Sequence, residues 1–447
     1  MIAPRLIDRI QVLLAAMLGI ALMCWLAWPG FFTFDSATQL AQARGIIPLD
    51  DANPPIMALA WRGLDHLWAW PGVMFAAITL GYWSALAALV WRLFDRTAWR
   101  WAVFALVALW PPAFVTLCHV WKDCAMAAAL LAACACIVNW LRGGVRGWFV
   151  GALAWLAIAS CLRYNAIFAA APLTLWLCWP RSAQPALRAR AVGAAFAMLL
   201  SVILLIVPSL FARSVGATPR HAWTTVALWD LAGVSIRDNT LLIPARLFNR
   251  PTTVADLAHD FSPVTNVNTF LPGSIKLSYY QDYSKDDLDA LWDAWTGAIV
   301  HHPHAYIAHR LAFSRWQFLG YARDTPRGLA FSPNRYDQSF IKLGLPDVDQ
   351  NAPWLRAMEW LRTTPLFAGI CYIVIAIIAA IIAWRRRRIR DPLPVLALTA
   401  SALGNALPLA IISGSCDFRY LIWTVLTALI ALPLALMPAH KDTQRAD

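Results

Sequence analysis

Ten apolar runs limit what this chain can fold into. They cover residues 10–28, 72–91, 101–118, 124–141, 148–162, 164–179, 191–212, 365–384, 393–413 and 420–437. Most approach the ~20 residues that a helix needs to cross a bilayer. Hydrocarbon offers no partner to a backbone N–H or C=O, so each crossing must be helical. Hydrophobic residues make up 60% of the 447 and charged ones 14%, against roughly 25% charged in a soluble domain. A single water-soluble globule, a disordered chain and a collagen-like chain are excluded. The expectation is an all-α polytopic membrane protein with about ten transmembrane helices. The fifth and sixth runs are short, and Arg163 divides them.

The net charge of +12 does not point to nucleic acid, because most Arg sits in short clusters at the ends of apolar runs. That is the positive-inside pattern. With the N-terminus cytoplasmic, the inside segments hold 17 of the 37 Lys and Arg; the short outside loops hold 5, and residues 213–364 hold the other 15. A long segment is largely exempt from the rule. If 148–179 crossed only once, the run Arg385-Arg386-Arg387-Arg388 would face outside, so two short crossings or a deep hairpin fit better. Both termini are then cytoplasmic. Short Arg-rich loops without sorting signals suit a bacterial inner membrane. The first run follows Arg5 and Arg9 as a signal peptide would. However, it is long, ends in Trp25 and Trp28 and lacks an A-x-A site, which favours a retained anchor.

This divides the chain into a membrane module (1–212) with a first outer loop (29–71), an outer segment (213–364) and C-terminal membrane helices (365–447). In the first loop, 36–44 and 56–70 read as short interfacial helices. The outer segment has soluble-like composition, no Cys and no strand pattern. Ser284 is placed to cap a helix with Asp286 and Asp287 in its first turn. Leu288, Leu291, Trp292, Trp295 and Ile299 repeat at helical spacing. Pro303 ends that helix, and 304–321 reads as another.

Runs seven, eight and nine carry no ionisable residue at mid-membrane, whereas coupled transporters usually need one there. Charges gather instead at the outer ends: Asp35, Asp50, Asp51, Lys122, Asp123, Arg163, Asp417 and Arg419. Asp35, in Phe32-Thr33-Phe34-Asp35-Ser36, has an aromatic interfacial setting that suits a general base; equally, it is an N-cap for the helix that follows. In His119-Val120-Trp121-Lys122-Asp123, Lys122 would bind phosphate and Asp123 would serve as a second acid or a metal ligand. The alternative there is a local salt bridge and a helix cap. Arg163 in Leu162-Arg163-Tyr164-Asn165 matches phosphate bidentately, or snorkels or pairs with an Asp. In Ser415-Cys416-Asp417-Phe418-Arg419-Tyr420, Arg419 would hold a phosphate or a sugar hydroxyl, or pair with Asp417.

Other features carry less. His301, His302, His304 and His309 suggest metal, but Pro303 breaks their geometry. Gly143-Gly144 and Gly147 form no P-loop. The nine Cys show no CxxC or zinc spacing. The 25 Trp belong mostly to interfacial belts, with Trp61, Trp68, Trp223 and Trp229 available to stack on a sugar.

In this order, the four constellations resemble the GT-C superfamily of membrane glycosyltransferases, which use polyprenyl-phosphate sugars. Asp35 follows the first span, in Pro29-Gly30 through Phe34-Asp35-Ser36 to Gln39. Asn53-Pro54-Pro55 comes next, where related sequences often have His-Pro, so Asn53 is a departure. Lys122-Asp123 opens span four, Arg163-Tyr164-Asn165 follows, and Asp417-Phe418-Arg419-Tyr420 resembles an Arg-Tyr element near the last span. Coverage is strongest over 1–212. The resemblance implies a GT-C-like fold with a mainly helical periplasmic domain between spans seven and eight. It also implies inverting transfer from a polyprenyl-phosphate-linked sugar donor to a glycan, lipid or protein acceptor, at the bilayer surface and without nucleic acid. Asp35 would deprotonate the acceptor and Asp123 would orient a group beside it. Lys122, Arg163 and Arg419 would hold the donor phosphate, with Asn53, Asn165 and Tyr420 completing the binding set. No metal ligand is assigned, and a divalent cation stays open. The rivals are an O-antigen ligase or polymerase acting on diphosphate-linked glycans, with Arg310, Arg315 and nearby His, and a lipid or solute transporter.

Overall fold

The computed structural model describes residues 2–180, 186–248, 250–267, 283–320, 343–345, 352–389 and 391–438. The described part is all-α, and its only β pairing is isolated bridges. The first half contains α1 (Ile2–Ala27), α2 (Phe34–Ala43), α3 (Pro55–Leu67), α4 (Val73–Leu93), α5 (Thr97–Ala108), α6 (Pro111–Leu117), α7 (Lys122–Gly143), α8 (Arg146–Leu162), α9 (Ile167–Cys178) and α10 (Leu187–Ser214). Between α10 and the last membrane helices lie α11 (Trp223–Asp238), α12 (Val254–Asp260), α13 (Lys285–His301), α14 (Pro303–Leu319) and α15 (Pro353–Leu361). The chain closes with α16 (Gly369–Arg385), α17 (Leu393–Ala406), α18 (Leu409–Ile412) and α19 (Ile422–Leu436).

Six helical segments are long and apolar enough to cross a membrane: Leu6–Ala27, Val73–Leu93, Lys122–Gly143, Leu187–Ser214, Leu393–Ile412 and Phe418–Leu436. The expected third span is broken. At Trp110-Pro111-Pro112 the prolines supply no N–H to continue the ladder, and α5 and α6 meet at a 64° bend. Counted as one span, this pair makes seven. The expected fifth, sixth and eighth spans are shorter apolar helices, Arg146–Leu162, Tyr164–Cys178 and Gly369–Arg385. The 17 residues of α8 or α16 cover roughly 25 Å, less than a ~30 Å hydrocarbon core. Helix length therefore supports six or seven crossings rather than ten. Residues 181–185 and 439–447, both expected on the cytoplasmic side, lie outside the described residues.

Helices α1, α4, α7 and α8 pack in sequence, each on the next. A second group joins α9 to α10 and α17, and α19 to α16 and α17. The outward faces are apolar: Leu13, Met17 and Leu18 on α1 and Met198, Leu199 and Leu205 on α10 are all more than half exposed. Such faces suit lipid and would be a liability in water.

Helix α2 is not the interfacial helix that its amphipathic pattern suggested, because Ser36 through Ala43 are all buried. Thr33 is its N-cap, and the Thr33 N–H donates to Ser36 Oγ at 3.2 Å. Ser36 Oγ in turn donates to the Val120 carbonyl at 2.7 Å. At the other end the Arg62 guanidinium donates to the Gln42 and Ala43 carbonyls. With both ends satisfied by the protein, the helix has no need of water or headgroups.

Helices α11 to α13 share an apolar cluster that includes Leu228, Leu231, Leu257 and Leu291. Ser284 caps α13 as expected, accepting from the Asp287 N–H at 3.2 Å while Asp287 bonds back. Pro303 opens α14, which ends at Leu319; Tyr321, the last residue of the expected 304–321 helix, lies outside the described residues. Two isolated bridges, Thr265 to Ser415 and Asp50 to Thr218, stitch this segment to the loops at one end of the bundle.

Candidate functional site

Four loops meet where α1 ends, α7 begins, α8 ends and α19 is about to begin. The first two are locked by backbone pairing. The Phe31 N–H donates to the Cys118 carbonyl at 2.8 Å, and the Val120 N–H donates to the Phe31 carbonyl at 2.9 Å. This brings Asp35 beside Lys122 and Asp123. Neither carboxylate is a helix cap: Thr33 and Trp121 hold those positions, with Asp35 and Asp123 one residue further in than the first helical position.

Arg419 is the hub. Its Nη2 lies 2.8 Å from Asp35, its Nε lies 2.8 Å from Asp417, and Asp123 is 4.0 Å from that Nε. Of the two readings of Arg419, the pairing with Asp417 is present, and Asp35 shares the same guanidinium. The guanidinium also lies over the Trp121 ring, 4.7 Å from its centroid, a favourable contact for a cation. Trp121 is held in turn by a 2.8 Å hydrogen bond from its indole to Thr33 Oγ1 and by stacking on His119 at 3.8 Å.

Asp123 is buried and takes a 2.6 Å hydrogen bond from Arg163. Arg163 also donates to Asn165 Oδ1 at 3.2 Å and covers the Tyr420 ring at 4.6 Å. Lys122 does not pair with its neighbour; its Nζ donates to Asn53 Oδ1 at 3.1 Å. Asn53, at the position where the resemblance expects His, is thus in contact with Lys122. All eight expected site residues come together. By contrast, Asp50 and Asp51, also in the outer group, are used by the backbone: Asp50 accepts from the Asn53 N–H and Asp51 from the Arg220 N–H.

Burial by itself would raise the Asp35 carboxyl. Arg419 first, then Lys122 and Arg163, reverse that and hold it at about 2. Asp417 goes the other way: burial pushes it up to about 7 against the pull of Arg419, with Asp123 and Asp35 adding to the rise. Three cations face three acidic side chains, and with Asp417 raised to about 7 the cluster keeps an excess of positive charge near neutral pH. Among the described residues no group of His, Cys, Asp and Glu is spaced to hold a metal ion.

The motifs offer Asp417 only as a partner for Arg419 and mark neither Trp121 nor Gln317 as part of a site. Gln317 on α14 clamps the Asp417 backbone, accepting from its N–H at 3.1 Å and donating to its carbonyl at 3.3 Å. Trp121 was signalled by its place beside Lys122; nothing local signalled Gln317. Arg310, a candidate in the ligase reading, is taken up elsewhere. It donates to buried Asp230 at 2.6 Å and to the Ser413 carbonyl at 2.8 Å. His309 completes that network at 3.0 Å from Asp230, and His302 bonds Asp238.

The chain matches no protein-family model, no curated protein and no solved structure.

Proposed function

We propose that the Asp35–Arg419 cluster is the active centre of a membrane glycosyltransferase of GT-C type, which moves a sugar from a polyprenyl-phosphate donor to an acceptor hydroxyl. The observation that carries this reading is the meeting of Lys122, Arg163 and Arg419 around Asp35 and Asp123. These residues come from distant loops at one end of an apolar bundle. A lipid-linked phosphate reaches such a place from the bilayer, and a polar acceptor reaches it from water. In this reading the three short apolar helices and the α5–α6 pair complete ten crossings. The membrane is a bacterial inner membrane, the cluster faces the periplasm, and α11 to α15 form the outer domain.

The chemistry follows from the pairing. Paired with Arg419, Asp35 is ionised but a weak base. A donor phosphate competes for the same guanidinium. As Arg419 turns to the phosphate, the proton affinity of Asp35 rises at the step that needs a base. Asp35 takes the acceptor hydroxyl proton, and the oxygen attacks the anomeric carbon opposite the phosphate. The carbon–oxygen bond to phosphate breaks, and polyprenyl phosphate leaves against Arg163, Arg419 and Lys122. Its charge is met by these cations, and Asp123 holds Arg163 in place.

The test uses the full chain in nanodiscs with a radiolabelled sugar on undecaprenyl phosphate, reading release of undecaprenyl phosphate in the presence of membrane-extract acceptors. Asp35→Asn is expected to lower turnover by roughly 10²–10⁴-fold while the protein still retains donor. Near-normal turnover in that variant removes the base assignment. Passage of the lipid across liposomes without sugar transfer replaces the enzyme with a transporter.

A further inference from the structure

We infer that a second site, at the opposite end of the bundle, binds the phosphate headgroup of an anionic membrane phospholipid. A cavity of about 680 Å³ opens there among α1, α4, α7 and α8, within the roughly 300–1,000 Å³ of ordinary ligand sites. Its position follows from helix direction. Asp8 and Arg9 lie near the start of α1, Trp91 and Arg92 close α4, Asn139 is near the end of α7 and Trp148 is near the start of α8. The Asp35 cluster lies at the other ends of α1, α7 and α8, so a full helix length separates the two.

Charge marks the ligand as an anion. Asp8 is already engaged by Arg100 at 2.6 Å. Arg142 reaches Asp95 at 3.9 Å and feels Arg92 and Arg100 as neighbouring positive charges. Arg9 and Arg92 have no acidic partner within salt-bridge distance among the described residues. The cavity lining thus carries two arginines against one aspartate, and that aspartate is already paired. A planar guanidinium pair suits a phosphate.

The surroundings favour a lipid over a soluble anion. Val12, Leu13 and Ala88 also line the cavity, and Leu13 is 62% exposed on the outward apolar face of α1. A headgroup seated on Arg9 and Arg92 therefore has acyl-chain surface beside it. Trp148, 42% exposed, sits where an interfacial indole meets headgroups. This site does not depend on the proposed transferase chemistry.

The experiment is native mass spectrometry of the full chain released from nanodiscs of phosphatidylcholine with one-fifth phosphatidylglycerol. Wild type is expected to retain one phosphatidylglycerol at collision energies that strip phosphatidylcholine. The double variant Arg9→Gln, Arg92→Gln should lose at least about tenfold in retention, since each basic group contributes about 1 kcal/mol toward an anionic lipid. Arg9→Lys with Arg92→Lys should keep most of it, and Arg188→Gln with Arg190→Gln, on α10, should behave as wild type. Thermal melting checks that the Gln variant is folded; if it is not, the Lys pair and the lipid comparison decide. Equal retention of both lipids, unchanged retention in a folded Gln variant, equal loss in the α10 control, or displacement of phosphatidylglycerol by 10 mM inorganic phosphate would each overturn the inference.

Discussion

Arg419 joins two carboxylates whose proton affinities have been driven apart, and that gives a test by pH. Asp417 stands at about 7 against an ordinary 3.8, so the folded protein keeps a proton that the unfolded chain has lost. Stability should therefore decline as pH rises from about 4 to about 7, and Asp417→Asn should flatten that slope in a melting-temperature series. Asp35, lowered to about 2, acts with opposite sign. Its contribution is complete above about pH 4 and is lost as pH falls toward 2. The Asp123–Arg163 pair is a separate case. Asp123 is 1% exposed and Arg163 14%, so Asp123→Ala leaves a guanidinium without its buried partner. A loss of about 3–5 kcal/mol is expected, and denaturant melting in detergent measures it. A loss below 1 kcal/mol would mean that water reaches Arg163 freely. The types and order of these residues were legible in the chain, as charges set beside apolar runs. Their pairing was not. Lys122 bonds Asn53 rather than adjacent Asp123, because consecutive residues at a helix start point in different directions.

The caps separate what is local from what is not. At α13, Ser284 and Asp287 satisfy each other's backbone within a single turn, so the start of the helix could be read from four residues. Ser284→Ala should cost about 1 kcal/mol, seen as earlier melting of the outer helices by tryptophan fluorescence, with α1 to α10 unaffected. Helix α2 shows the reverse. Its polar Gln39, Gln42 and Ser36 imitate a water-facing stripe, yet all are buried; Ser36 bonds the Val120 carbonyl, while Arg62 serves the backbone carbonyls of Gln42 and Ala43. Ser36→Ala should therefore loosen the contact between α2 and the loop before α7, and faster hydrogen exchange at the Val120 and Phe31 amides would report it. The α5–α6 break belongs with the legible features, since consecutive prolines interrupt a helix wherever they occur, although the 64° angle depends on neighbouring helices.

Across the whole molecule, the placement of Arg predicts sidedness. In a cysteine-free background, a cysteine at Asp289 on α13 should react with an impermeant maleimide in intact cells. One at Arg387, beyond α16, should react only after permeabilisation. Reaction of both in intact cells would reverse the assignment of the Arg-rich ends. The amino-acid sequence alone determined that the chain is helical and membrane-embedded, because apolar runs in lipid have no other way to satisfy their backbone, and it marked the loops where charge persists at a cost. How many runs cross was not determined in this way, since three of them are helices shorter than the hydrocarbon is thick. Only the tertiary structure decided that Asp35, Lys122, Asp123, Arg163 and Arg419 share one place and that Arg9 and Arg92 share another. Contacts between residues as distant as Asp35 and Arg419 depend on how helices stack, and no local pattern in the chain encodes that.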